Sequence, residues 1–286
     1  MRSEAEMLGL ILDTARVDER IRAVILNGSR ANPNALADQF RDYDIVYVVT
    51  DVRSFTTDPG WIDRFGERAI LQKPDDMLGG QHLPYRYAYL MQFRDGTRID
   101  LTLFQADHLE QMGSDSLSVL LLDKDGRLPP FPAPDESDYW TKAPGAREFA
   151  ECCNEFWWVL PYPAKGLARG QVIYALGIME QVLRPELFKM LNWLIGLRGG
   201  FQQNPGKLGA NYPALLPSDV YTLLLRTYTA AQADTAWQAL DAMADLFEGA
   251  AREVGRAFQY GYPEGDAQQV REILKWFKEH SGERQS

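Results

Sequence analysis

Three aspartates and a glycine-serine pair are the residues most able to do chemistry together. Asp42 and Asp44 are separated by one residue in RDYDIVYVVT, and Asp100 stands alone among strand formers in RIDLTL. On a β-strand, residues two apart share a face, so Asp42 and Asp44 would stand side by side. Two carboxylates that close repel, and one would take up a proton unless a cation intervened. Hard oxygen donors suit Mg²⁺. If the Asp100 strand lies beside the Asp42–Asp44 strand, three carboxylates converge, the arrangement used for metal-assisted phosphoryl or nucleotidyl transfer. Gly28 and Ser29 close the run IRAVILNGSR. Where a strand turns into a helix, backbone N–H groups point outward and can hold anionic oxygens. Gly28 would let a phosphate approach closely, and the Ser29 hydroxyl could donate once more. Taken singly, Gly-Ser is a plain turn and Asp-x-Asp a solvated cap. Inside an apolar strand, however, a carboxylate needs a cation or donors to offset burial.

The elements that must position these residues follow from hydrophobic spacing. A first helix is expected from Ser3, which has capping-box spacing to Glu6, with Met7, Leu8, Ile11, Leu12 and Ala15 on one apolar face. Strands are expected at 21–26, 43–50, 85–93 and 98–104, the last two joined by a hairpin at Asp95-Gly96, with one more at 118–122. The segment 31–41 reads as a loop or short turn. Prolines at 129, 130, 132, 134 and 144 mark 126–146 as an extended connection. Beyond it the spacing is helical, with helices expected near 146–158, 165–198, 217–229, 232–260 and 266–280. The expected class is α+β: a domain over 1–135 with a mixed sheet flanked by helices, then an α-helical bundle over 136–286, with a cleft between them.

Composition narrows the functions. Among 286 residues, 30 Lys and Arg oppose 40 Asp and Glu, a net charge of −10. Residues 1–145 hold 16 basic and 24 acidic side chains, so the acidic excess lies in the first half. Such a surface argues against a nucleic-acid partner, which needs cations along its phosphate track, and suits a small cationic substrate. Cys152 and Cys153 are adjacent and offer no disulfide framework. Two glutamates in MRSEAEMLGL stand where a signal peptide would be apolar, and no window is long and apolar enough to span a membrane. The expectation is a soluble, cytoplasmic monomer.

The ordered pattern of Gly-Ser, Asp-x-Asp and a later lone Asp resembles the nucleotidyltransferase superfamily that shares the DNA polymerase β fold. The segments LNGSRAN, FRDYDIVYVVTDV, LQKPDDM, RIDLTL, LLDKDGR and CCNEFWWVLPYPAKGLARG, in that order, are similar to the aminoglycoside 6-adenylyltransferases. The resemblance covers nearly the whole chain and is looser after residue 200. It implies a polymerase β-like first domain, ATP and Mg²⁺ as cofactors, and transfer of AMP to the 6-hydroxyl of streptomycin with release of pyrophosphate. It implies that Asp42, Asp44 and Asp100 bind metal and carry catalysis, and that Gly28, Ser29 and Arg30 contact the triphosphate. Another antibiotic acceptor, or a nucleotide-binding module without turnover, is the alternative.

Two sets in the second half acquire readings in that light. Lys165 and Arg169, four apart on an expected helix, could reach the triphosphate as pyrophosphate leaves, or could be a solvated face. Glu151, Glu155 and Trp157 could meet an acceptor that carries guanidinium groups, because carboxylates and flat aromatic faces bind such cations. The plainer alternative puts the tryptophans in the core and the glutamates in solvent.

Overall fold

Runs of branched and aromatic residues at 21–27 and 43–49 form the centre of a sheet in the computed structural model, which describes residues 1–282. The first unit, Met1–Asp138, contains α1 (Glu4–Val17), β1 (Ile21–Asn27), β2 (Tyr43–Val49), a single-turn α2 (Arg53–Thr56), β3 (Arg68–Gln72), β4 (Arg86–Phe93), β5 (Arg98–Gln105) and β6 (Ser118–Asp123). The strand order is β3-β4-β5-β2-β1-β6. Every pairing is antiparallel except β2 with β5, which run parallel. That pair sets the site, because it brings two strands distant in sequence into direct register.

The two faces of the sheet carry different cores. Tyr43, Ile45, Tyr47 and Val49 alternate onto the face that packs with Met7 and Ile11 of α1 and with Phe55, Trp61 and Phe65. The N-terminus of α1 is closed as expected, with the Ser3 side chain accepting from the Glu6 N–H and Glu6 accepting from Ser3. The opposite face carries a smaller cluster of Ala23, Ile25, Val46, Val48 and Phe104, covered by Leu109, Met112, Leu128 and Phe131. Leu128 and Phe131 belong to the proline-rich stretch, so that stretch is a lid on the sheet as well as a connection. Asp44 precedes Val46 by two residues and therefore opens onto this second face.

The second unit, Tyr139–Ser286, is helical over its described residues. It contains α3 (Ala146–Val159), α4 (Pro161–Ala168), α5 (Val172–Ile178), α6 (Arg184–Arg198), the short α7 (Tyr212–Leu215), α8 (Ser218–Arg226), α9 (Ala233–Phe258) and α10 (Glu264–Glu279). Its core runs along α9, where Phe247 stacks on Phe156 of α3 with ring centroids 3.8 Å apart.

Two elements differ from the sequence expectation. β3 had no signal, because it is an outer strand whose Ala69 and Ile70 face solvent, which erases the alternation that marks a half-buried strand. The single helix expected over 165–198 is instead α4, a break at Arg169–Gly170, α5, a π-helical turn at Met179–Leu183, and α6. Gly170 has a φ of 73°, which ends α4. Pro161 and Pro163 sit in the first turn of α4, where a missing N–H costs nothing, so that helix starts four residues before Lys165. Pro185 lacks an N–H for the preceding turn, and the wider π turn accommodates its ring.

Candidate active site

The parallel register of β2 and β5 pairs Asp44 directly with Asp100. The antiparallel register of β1 and β2 pairs Asn27 with Asp44, and that of β1 and β6 pairs Asn27 with Ser118. One polar row thus crosses four strands: Ser118, Asn27, Asp44, Asp100. The Ser118 hydroxyl donates to Asn27 Oδ1 at 2.8 Å. Asp42, one residue ahead of β2, lies on the same face.

The electrostatics follow from this crowding. Burial and then repulsion from Asp100 and Asp42 push the Asp44 carboxyl up to about 6. Asp42 is also raised, first by burial and then by Asp100 against the opposing pull of Arg98. Asp115 adds to the repulsion on Asp44. The charge that balances the aspartates is Arg98. Its Nε and Nη2 donate to Asp100 Oδ1 and Oδ2 at 2.7 and 2.8 Å, and Nε lies 3.6 Å from Asp42 Oδ2. Neither Arg98 nor Asp115 was singled out in the sequence. Arg98 was within reach, since it precedes Asp100 by two residues on a strand and must share its face.

Gly28 is needed at its position for two reasons. Its φ is 71°, and a Cβ built there would lie 2.4 Å from Asp44 Oδ2. The glycine therefore leaves room for the Asp44 carboxylate. Its N–H donates to the Leu117 carbonyl at 3.0 Å, so that donor is not open to an anion. The expected helix after Ser29 is one 3₁₀ turn, Gly28–Arg30. Ser29 is half-buried at this turn, and its carbonyl accepts from Arg41 at 3.2 Å.

Arg30 does not have the freedom expected of a triphosphate contact. Its side chain is 4% exposed, lies over the Tyr43 ring at 3.7 Å and pairs with Glu4 at 3.0 Å. It donates to the carbonyls of Asp42 and Arg41 at 3.1 and 2.7 Å. It is a clamp that fixes the approach to β2, and its guanidinium is fully committed to the protein.

Magnesium, which the resemblance implies, would find suitable donor chemistry here. Three carboxylates on adjacent strands face one way, and burial, then Asp100 and Asp42, raise the Asp44 carboxyl, a crowding that a cation would relieve. Among the described residues, however, no group of three or more carboxylate, imidazole or thiol side chains is drawn together tightly enough to hold an ion as it stands. Both oxygens of Asp100 accept from Arg98.

The residues expected in the second half all lie in the second unit. Lys165 is exposed near the rings of Tyr162 and Phe277 and lines a pocket of about 940 Å³ with Trp158, Asn154 and Asp266. Arg169 is exposed at the C-terminal cap of α4. Trp157 is 2% exposed and edge-on to Phe156 and Phe247 in the core, the plainer of the two readings, and it borders the same pocket as Lys165. Its neighbour Trp158 is 65% exposed and is the tryptophan that presents its ring. Glu151 and Glu155 are exposed on a different groove of about 750 Å³ with Glu148, Glu186 and Trp193. Glu151 pairs with Arg147 at 2.7 Å. The three residues therefore do not form one pocket. Cys152 and Cys153 are buried, and burial pushes both thiols up, Cys153 to about 12, so they pack rather than react.

A sheet with paired strand carboxylates beside a glycine turn at positive φ defines an acidic centre of the kind that phosphate chemistry uses. A family model described as streptomycin adenylyltransferase matches residues 1–277, and the chain belongs to that family of nucleotide-transferring enzymes. It is 40% identical to an aminoglycoside 6-adenylyltransferase of Campylobacter jejuni over 264 residues, 92% of each chain. It is 39% identical to one of Bacillus subtilis over 269 residues, 93% of this chain and 95% of that one. A crystal structure of an aminoglycoside 6-adenyltransferase from Bacillus subtilis matches with 34% identity and a TM-score of 0.48, covering 97% of this chain and 99% of that one.

Proposed function

We propose that the protein transfers AMP from ATP to a hydroxyl of a cationic aminoglycoside, with the 6-hydroxyl of streptomycin as acceptor. The observation that carries this reading is the register that sets Asp44 beside Asp100, next to Gly28, in a chain of this family. The first unit then acts as a polymerase β-like nucleotidyltransferase domain over about residues 1–135, and the helical unit from 136 supplies acceptor contacts.

In the proposed reaction the acceptor oxygen attacks the α-phosphorus of ATP. The bond from that phosphorus to the bridging oxygen breaks, and pyrophosphate leaves with the electron pair. The hydroxyl proton passes to a carboxylate, for which Asp100 is the assigned acceptor once its bond to Arg98 opens. Asp42, Asp44 and Asp100 would hold Mg²⁺, which when bound supplies positive charge to offset the phosphate oxygens. The turn at Gly28 and Ser29 lies against these carboxylates, and Ser29 is assigned to the triphosphate. Lys165 and Arg169, both exposed, are assigned to the leaving pyrophosphate. Glu151 and Glu155 are assigned to the cationic groups of the acceptor. The protein is expected to work as a monomer in the cytoplasm.

Incubation with ATP, Mg²⁺ and a panel of antibiotics, read by mass, tests this. Streptomycin is expected to gain one AMP with the parent protein and none with Asp44→Asn. Modification of a different drug in place of streptomycin would move the acceptor assignment. No modified product with any acceptor, from a protein that binds ATP, would favour a nucleotide-binding module.

A further inference from the structure

The three aspartates carry more negative charge than one guanidinium can balance, and among the described residues Arg98 is the cation that forms ion pairs with them. Its fork takes both oxygens of Asp100, at 2.7 and 2.8 Å, and its Nε stays within 3.6 Å of Asp42. A bidentate guanidinium uses the lone pairs of a carboxylate that a metal would otherwise use. With Arg98 counted, the cluster retains two negative charges, which is the deficit a divalent ion fills. Arg98 is not locked in place, since its side chain is 39% exposed. Arg98 itself lines a polar pocket of about 310 Å³, together with Arg2, Glu4, Arg30, Arg41 and Asp42.

We infer that Arg98 is a resident counter-ion that holds Asp100 and Asp42 in the metal-free enzyme and must let go of Asp100 for a divalent ion to bind. The inference rests on the metal-dependent reading proposed above and adds a positioning residue to it. Arg98 acts through the carboxylates rather than on substrate. It prevents their mutual repulsion from splaying the strand ends, and it competes with the incoming ion for the same oxygens. Removing it therefore improves ion binding while weakening the ion-free fold, two effects that a purely structural arginine would not couple.

The test is titration of the full-length protein with Mn²⁺ alone, followed by calorimetry and by the bound-ion signal in electron paramagnetic resonance. Arg98→Met, which keeps the length of the stem, is expected to bind Mn²⁺ about tenfold more tightly than the parent, the lower end of what losing a charge-assisted fork is worth. Arg98→Lys keeps the charge without the fork and is expected to fall between them. Without Mn²⁺, Arg98→Met is expected to melt below the parent, and saturating Mn²⁺ is expected to close that gap. Asp44→Asn is expected to bind no ion at this site. Equal or weaker Mn²⁺ binding in both Arg98 variants, with binding by the parent that Asp44→Asn abolishes, would overturn the role of Arg98 and leave the metal site standing. Absence of Asp44-dependent binding in the parent and both Arg98 variants would overturn the metal site and this inference together.

Discussion

Asp44 is where the conflict between burial and charge is sharpest, and it has a measurable signature in pH. Burial, then Asp100 and Asp42, raise its carboxyl to about 6 from an ordinary value of 3.8. The unfolded chain therefore releases this proton near pH 4 and the folded chain only near pH 6. Between those values the folded state holds more protons, so stability falls as pH rises across that window, and the deficit persists above it. A shift of this size corresponds to at most about 3 kcal/mol, and partial solvent access reduces it to about 1–2 kcal/mol. Metal-free Asp44→Asn is accordingly expected to be the more stable protein at pH 7.5 and to match the parent near pH 4. Urea denaturation at both pH values checks this. The aspartates were legible in the sequence because a charged residue inside an apolar strand is costly and a period of two dictates its face. The surroundings of Arg30 were not legible for a related reason: an arginine beside a glycine-serine turn looks like an uncommitted cation. Only the fold shows that Glu4 and the carbonyls of Arg41 and Asp42 enclose it.

Among the elements, the segment between Gly28 and β2 matters most for the site. It has little regular structure, and Arg30 and Arg41 tie it to the first turn of α1 through Glu4. Arg30→Met removes donors from two carbonyls and leaves Glu4 without its nearer partner. It is expected to lower stability by about 1–3 kcal/mol. Activity is expected to fall through kcat, with the KM for ATP unchanged within about twofold, if the bond from Arg30 to the Asp42 carbonyl is its main role. A rise in KM for ATP with kcat retained would restore the triphosphate contact to Arg30. Steady-state kinetics beside a thermal melt make the distinction. Elements with strong periodicity, such as α1, β2 and α9, were legible from the sequence. β3 was not, since an outer strand with both faces partly wet carries no alternation. The break after α4 was also missed, because one glycine in a long apolar helical pattern reads as tolerated.

At the scale of the molecule, the net charge of −10 favours the approach of cations and opposes that of anions. The groove with Glu148, Glu151 and Glu155, where Lys189 is paired with Glu186, adds a local patch of the same sign. The KM for a polycationic acceptor is expected to rise severalfold between about 50 and 300 mM KCl, as screening shortens the reach of that field. The KM for ATP is expected to stay flat or fall over the same range. Initial rates at several salt concentrations, with Mg²⁺ held constant, test both trends, and an acceptor KM indifferent to salt would count against a cationic acceptor. The sequence conveyed this charge directly, but not that Glu151 and Trp157 would lie apart, because helical spacing alone does not say which face the core takes. The parallel pairing of β2 with β5 has a further consequence for synthesis on the ribosome. Asp44 emerges well before Asp100, with the whole β3–β4 hairpin between them. Closing that loop is slow compared with making a local hairpin. A nascent chain halted before residue 100 would carry the glycine turn and two of the carboxylates yet lack the third, so the acidic row is completed only when the fifth strand docks.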